Sequence, residues 1–234
     1  MSIPRNVVKP IDRRTEPACG DGPLAALKRF AATAPPQWER CELCGLALES
    51  VHPHLLDRSR RAAVCACRTC AILFADRQDA KFLRIPVDVR AVRDLSIDDM
   101  QWEELSIPIS LAFFMRGTDG IMKAMYPSPA GPIESSLPLD PLPEFLAANA
   151  AVAKMTPEVE ALLVSRVQGE EAALLVPIDE CFRLTGLIRK KWRGLSGGTE
   201  VWIAIREFFT VLRKRAGLTT GFVGTSAVSG ARRA

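Results

Sequence analysis

Five cysteines crowded between Cys41 and Cys70 constrain this chain more than any other feature of it. Four of them form two CxxC pairs, Cys41/Cys44 and Cys67/Cys70, with residues 45–66 between them. Two residues between sulfurs let a turn curl until both thiolates point at one ion, and the amides of that turn can donate to the sulfurs. Two matched pairs at this separation are close to the spacing of a four-cysteine zinc site. The competing reading is a set of buried free thiols behaving as small hydrophobes. In a reducing compartment a disulfide framework is the less common use of such a cluster.

The segment between the pairs holds few large apolar residues, so a metal must supply much of its folding free energy. The spacing predicts one metal on Cys41, Cys44, Cys67 and Cys70, zinc in the first instance and iron as the alternative. Cys65, His52 and His54 remain as alternate ligands; on a strand the two histidines would face one side. Gly45 follows the first pair and allows the positive φ that such a knuckle often uses, whereas Ala71 follows the second. Removing the metal, or replacing Cys44 with Ser, is expected to unfold this module and to leave residues 81–216 folded.

Composition bounds the rest. The chain has 234 residues, 48% of them apolar and 6% aromatic, so a mostly aliphatic core can be buried. A net charge of +4 does not suggest a protein built to coat nucleic acid. The stretches Arg58–Arg61 and Arg189–Arg193 with Trp192 leave nucleic-acid binding as a weak alternative. The longest near-apolar run, Ile107–Met115, is far short of the ~20 residues of a membrane span. With no apolar stretch of the secretory type at the N-terminus, the default compartment is the cytoplasm.

The pattern predicts an α+β chain, because strands come first and helices last. Residues 1–22 read as a disordered arm and 23–78 as the cysteine module with a leading helix. Residues 79–216 read as an antiparallel-sheet domain closed by two C-terminal helices, and 217–234 as a disordered tail. Expected strands are Phe82–Val92 with a bend at Pro86, Glu104–Met115, Ile121–Tyr126, Val159–Val167 and Ala172–Val176. A proline-rich loop covers Tyr126–Pro132 and a helix Leu142–Ala151. The final helices start near Pro177 and after Ser196-Gly-Gly-Thr199, and Gly217 ends the second.

No catalytic constellation emerges. Gly194-Leu-Ser-Gly-Gly198 fits G-x-S-x-G, but that motif needs a preceding strand and a histidine base. Here basic helical sequence precedes it and both histidines belong to the cysteine module, so a helix–helix corner capped by Ser196 or Thr199 is expected. A zinc deaminase needs H-x-E before P-C-x-x-C; His54 and Thr69 break that pattern, and a CxxC comes first.

Beyond these readings, Cys41-Glu-Leu-Cys-Gly45 resembles a rubredoxin knuckle. Together with His52-Pro-His-Leu-Leu-Asp57, Cys65-Ala-Cys-Arg-Thr-Cys-Ala71, Ser128-Pro-Ala-Gly-Pro132 and Leu175–Cys181 through Trp192–Gly198, it resembles an uncharacterised bacterial domain family. That family is encoded beside actinobacterial-type uptake nickel–iron hydrogenases. The resemblance implies a non-enzymatic accessory or scaffold protein with a zinc-ribbon-like module and a protein partner, the hydrogenase or its maturation factors. Rubredoxin-like electron transfer by iron is the alternative. The family assigns no catalytic residues.

Overall fold

The computed structural model describes residues 39–75, 80–95, 97–135, 143–167, 171–194 and 197–218. The arm, the leading helix before Trp38 and the tail after Leu218 lie outside these residues, as does Cys19. All described residues fall within one unit, Glu39–Ala234.

A small antiparallel sheet carries the cysteine segment. Strands β1 (His54–Asp57) and β2 (Ala62–Cys65) form a hairpin, and β3 (Phe82–Arg84) adds on the other side of β1. The hairpin turn is fastened by buried Asp57, whose carboxylate accepts from the Ser59 hydroxyl at 2.5 Å and from the Ser59 and Arg60 amides. Arg61 completes the turn at φ 50°. Arg58 is engaged by Glu158 at 3.1 Å, so this arginine stretch is a structured turn rather than a free basic strip. Helix α1 (Arg68–Phe74) follows β2.

A six-stranded antiparallel sheet forms the body, in the order β4-β9-β8-β5-β6-β7. Its strands are β4 (Arg90–Ala91), β5 (Leu111–Arg116), β6 (Met122–Ser128), β7 (Gly131–Glu134), β8 (Glu160–Ser165) and β9 (Ala172–Pro177). Side chains alternate across a strand, and here both faces are covered. Leu111, Phe113, Ala161, Leu163, Leu174 and Val176 point into one core, and Ala112, Phe114, Leu162, Val164 and Leu175 into another. Burial on both faces explains why β5, β8 and β9 read as unbroken apolar runs.

The first core is closed by α5 (Ile178–Lys191) and α6 (Thr199–Arg215), through Cys181, Leu184, Ile205 and Phe209. The second is closed by α2 (Asp99–Glu104), α3 (Glu144–Ala147) and α4 (Ala150–Ala153), through Trp102, Leu146 and Val152. The fold class is therefore α+β, with helices on both faces of an antiparallel sheet. At the end of α6, Gly217 has φ 71°, its amide bonds the Lys214 carbonyl, and the Leu218 amide bonds that of Arg213. This is the Schellman arrangement, and it is why glycine stands there.

Several local readings change. Phe82–Val92 is two strands: the Ile85 amide still bonds the His54 carbonyl at 3.1 Å, but residues 86–89 belong to no strand, leaving β3 in one sheet and β4 in the other. The expected strand from Glu104 begins only at Leu111, because Asp98 and Gln101 form a reciprocal capping box that starts α2. The proline-rich segment is a tight hairpin between β6 and β7, with Ser128 opposite Gly131. The helix expected over Leu142–Ala151 is broken in two where Asn149 caps α4 by accepting from the Ala151 and Val152 amides. Thr199 is the first helical residue of α6, and its N-cap Gly198 has φ 75° and makes no side-chain bond; Ser196 lies outside the described residues.

Buried Glu160 ties β8 to two other segments. It accepts from the Thr156 amide at 2.7 Å and from Arg90 at 2.5 Å. Burial alone would raise its pKa, but these partners hold it below the usual carboxylate range. A carboxylate depressed in the folded state contributes stability that is present above its unfolded pKa of about 4.3 and lost as pH falls through the folded value. Glu160→Gln is therefore expected to lower the melting temperature at pH 7 and to flatten the acid limb of the stability curve below about pH 5. Thermal melts of both proteins across that range check this, and identical acid limbs would contradict it.

Candidate metal centre

The first knuckle is closed by short-range backbone bonds. The Cys41 amide bonds the Leu46 carbonyl at 2.8 Å, and the Gly45 amide bonds the Cys41 carbonyl at 2.7 Å. Gly45 sits at φ 76° with open space where a Cβ would stand, so its role is conformational. The second knuckle is built differently. Cys67 is the N-cap of α1, and its sulfur accepts from the Cys70 amide at 3.4 Å. Ala71 therefore continues a helix and needs no positive φ, which is why glycine is not required there. The knuckles are lashed together by the Glu42 amide to the Cys65 carbonyl at 2.9 Å and the Cys65 amide to the Glu42 carboxylate at 2.8 Å.

The sulfurs of Cys41, Cys44, Cys67 and Cys70 all lie within 4.8 Å of one another. Cys44 Sγ and Cys67 Sγ are 3.8 Å apart, far beyond a disulfide bond. A tetrahedral zinc site with bonds of about 2.3 Å has sulfur–sulfur edges of about 3.8 Å. Cys41, Cys67 and Cys70 are buried against Leu48, Leu55, Val64 and Ala66, while Cys44 is exposed.

Four thiols this close cannot ionise independently. Burial works against the Cys41 thiolate, yet the amides of Cys67, Leu43 and Cys44 bring its pKa down to about 6. Burial pushes the Cys70 thiol far up, and the neighbouring sulfurs push it further. The Leu46 amide favours the Cys44 thiolate, but competition with Cys41 leaves its pKa raised. One thiolate thus forms readily and resists a second beside it, a conflict that a cation among the sulfurs removes. The residues present fit a bound metal.

The structure separates Cys65, His52 and His54 from this cluster. Their ligand atoms form a group of their own, again within 4.8 Å of one another. His54 faces Cys65 directly across the β1–β2 pair. Its Nδ1 is 2.6 Å from Asp179 in the first turn of α5, a bond that raises the His54 pKa. Asp179 had no sequence signal beyond its place at a helix N-terminus; it stands 125 positions from the histidine it holds. Cys181 is fully buried in the core between α5 and the sheet, where burial raises its thiol pKa, and it belongs to neither group. The basic run at the end of α5 places Trp192 against the first core, with its indole N–H donated to the Gly194 carbonyl at 2.9 Å.

Among the described residues no helix is long and apolar enough to cross a membrane. No curated protein and no solved structure matches the chain. Residues 40–216, from the first knuckle to the end of α6, match one family along their whole length, so the chain belongs to the family of unknown function DUF5947.

Proposed function

We propose that this chain is a metal-binding accessory protein in which Cys41, Cys44, Cys67 and Cys70 hold one zinc ion as thiolates. The observation that carries this is the convergence of four sulfurs from two separately built knuckles at spacings suited to one tetrahedral ion. The metal would lock a zinc-ribbon-like module and so fix the surface around it. On that surface Leu46, Ile72, Leu73 and Phe74 are exposed, with Ile72 at 71%, and they support a role in docking another protein. The resemblance noted above points to a hydrogenase or its maturation factors as that partner.

The test is elemental analysis of the full chain purified without added metal, joined to recovery of partners from cells that keep the hydrogenase genes. One tightly held equivalent of zinc that Cys70→Ser loses is expected, with hydrogenase components recovered alongside. An iron-loaded protein with visible charge-transfer absorption and a reversible one-electron change would replace this reading with rubredoxin-like electron transfer. A metal-free protein would end both.

A further inference from the structure

We propose that His52, His54 and Cys65 form a second metal site, independent of the four-cysteine centre, that binds a zinc-like divalent ion and leaves its fourth position open. It goes beyond the reading above and does not rest on it.

The case begins with tautomers. His52 Nδ1 lies 2.8 Å from the carbonyl oxygen of Glu49. A carbonyl can only accept, so His52 carries its proton on Nδ1. His54 Nδ1 lies 2.6 Å from the Asp179 carboxylate, which also only accepts, so His54 carries its proton on Nδ1 as well. In both neutral rings Nε2 is then a bare lone pair. Those two Nε2 atoms face each other at 3.3 Å, a distance at which two lone pairs repel. A cation reverses that repulsion. In a tetrahedral site with zinc–nitrogen bonds of about 2.0–2.1 Å, two nitrogens are about 3.3–3.4 Å apart. Cys65 supplies the third donor within 4.8 Å of both.

The surroundings fit the same reading. A metal-bound histidine commonly donates its other ring N–H to a carboxylate or backbone carbonyl, which fixes the ring and raises its basicity. Both histidines are held in this way, one by each kind of partner. Strand alternation keeps the two sites apart. Leu55 packs in the core of the four-cysteine centre, whereas Leu56, on the same side of β1 as His54, packs in the first core of the large sheet. Two imidazoles and one thiolate suit zinc among common divalent ions, and three protein ligands with a free position is the pattern of an open zinc site. Glu39, exposed and 3.5 Å from His52 Nε2, stands at the rim of the site, where its carboxylate favours a cation.

The rival occupant is a proton shared between the two Nε2 atoms, with one ring an imidazolium. The experiment titrates the full-length protein with Zn²⁺, reading bound zinc by elemental analysis after desalting and the histidine Nε2 signals by ¹⁵N NMR. The expected result is two equivalents of zinc, with both Nε2 signals moving as the site fills. His54→Ala and Cys65→Ser should each lose one equivalent and keep the other. Asp179→Asn should weaken the second equivalent by about 10- to 100-fold. One equivalent that survives His54→Ala but not Cys44→Ser, with Nε2 signals indifferent to zinc, would overturn this site and leave the four-cysteine reading standing. One equivalent lost in His54→Ala but kept in Cys44→Ser would do the reverse. Should the variants not fold, the wild-type stoichiometry and the Nε2 signals decide alone.

Discussion

Stripping metal from the four-cysteine centre is expected to abolish hydrogen-exchange protection at the amides of Cys41, Glu42, Gly45, Leu48, Ala66 and Ala71. Each of these is hydrogen-bonded within the cysteine module. The protection of β5, β8 and β9 should be untouched. The difference lies in what each part has besides metal. Around the sulfurs the only large buried aliphatic side chains are Leu48, Leu55 and Val64 among the described residues. At about 1.5–3 kcal/mol each, they are small beside the roughly 10–16 kcal/mol that structural zinc contributes in small peptides. The large sheet has two full cores and needs no ion. Cys44→Ser should reproduce the effect although Cys44 is exposed, since a three-thiolate site is incomplete. Full protection of those six amides in metal-free protein would show that the module folds on its own packing.

Phe113→Ala and Phe114→Ala are each expected to cost about 3–5 kcal/mol, the usual range for truncating a buried phenylalanine. Both side chains are wholly buried. At about 2–4 °C per kcal/mol for a chain of this size, each should lower the melting temperature by roughly 6–20 °C. These neighbours on β5 fill different cores: Phe113 lies under α5 and α6, Phe114 under α2, α3 and α4. A single-faced sheet would make one costly and the other nearly neutral. Urea unfolding of both variants settles which holds, and a cost under about 1 kcal/mol for either would contradict the two-core arrangement.

What the sequence made legible was local. The CxxC pairs could be read because a knuckle is decided within five residues; what joins the two knuckles, the β1–β2 hairpin and the bonds between Glu42 and Cys65, is not local to either. The hairpin of β8 and β9 and the starts of α5 and α6 were legible for the same reason, each marked by a turn, a proline or a glycine. The capping box of Asp98 and Gln101 was also a local signal, but the expected strand started at Glu104 and no helix was expected over Asp99–Glu104. The split of Phe82–Val92 could not be read locally. Nothing in those residues says that β3 pairs with β1 while β4 pairs with β9, because the partners of β4 lie near Leu175. The separation of His52, His54 and Cys65 from the four sulfurs was hidden likewise: it depends on which face of β1 meets α5.

The strand order also sets a timetable for synthesis. Both knuckles, β1 and β2 lie within residues 41–70, so the cysteine centre can close while most of the chain is still unmade. β5 is in the opposite position, because its neighbour β8 lies about fifty residues further on, with Leu111 paired to Ser165. At roughly 5–20 residues per second, the apolar sequence Leu-Ala-Phe-Phe-Met waits several seconds on the ribosome for one of its two partners. The segment that would carry the metal is thus the first able to become rigid, and β5 keeps one edge unpaired until β8 has been made.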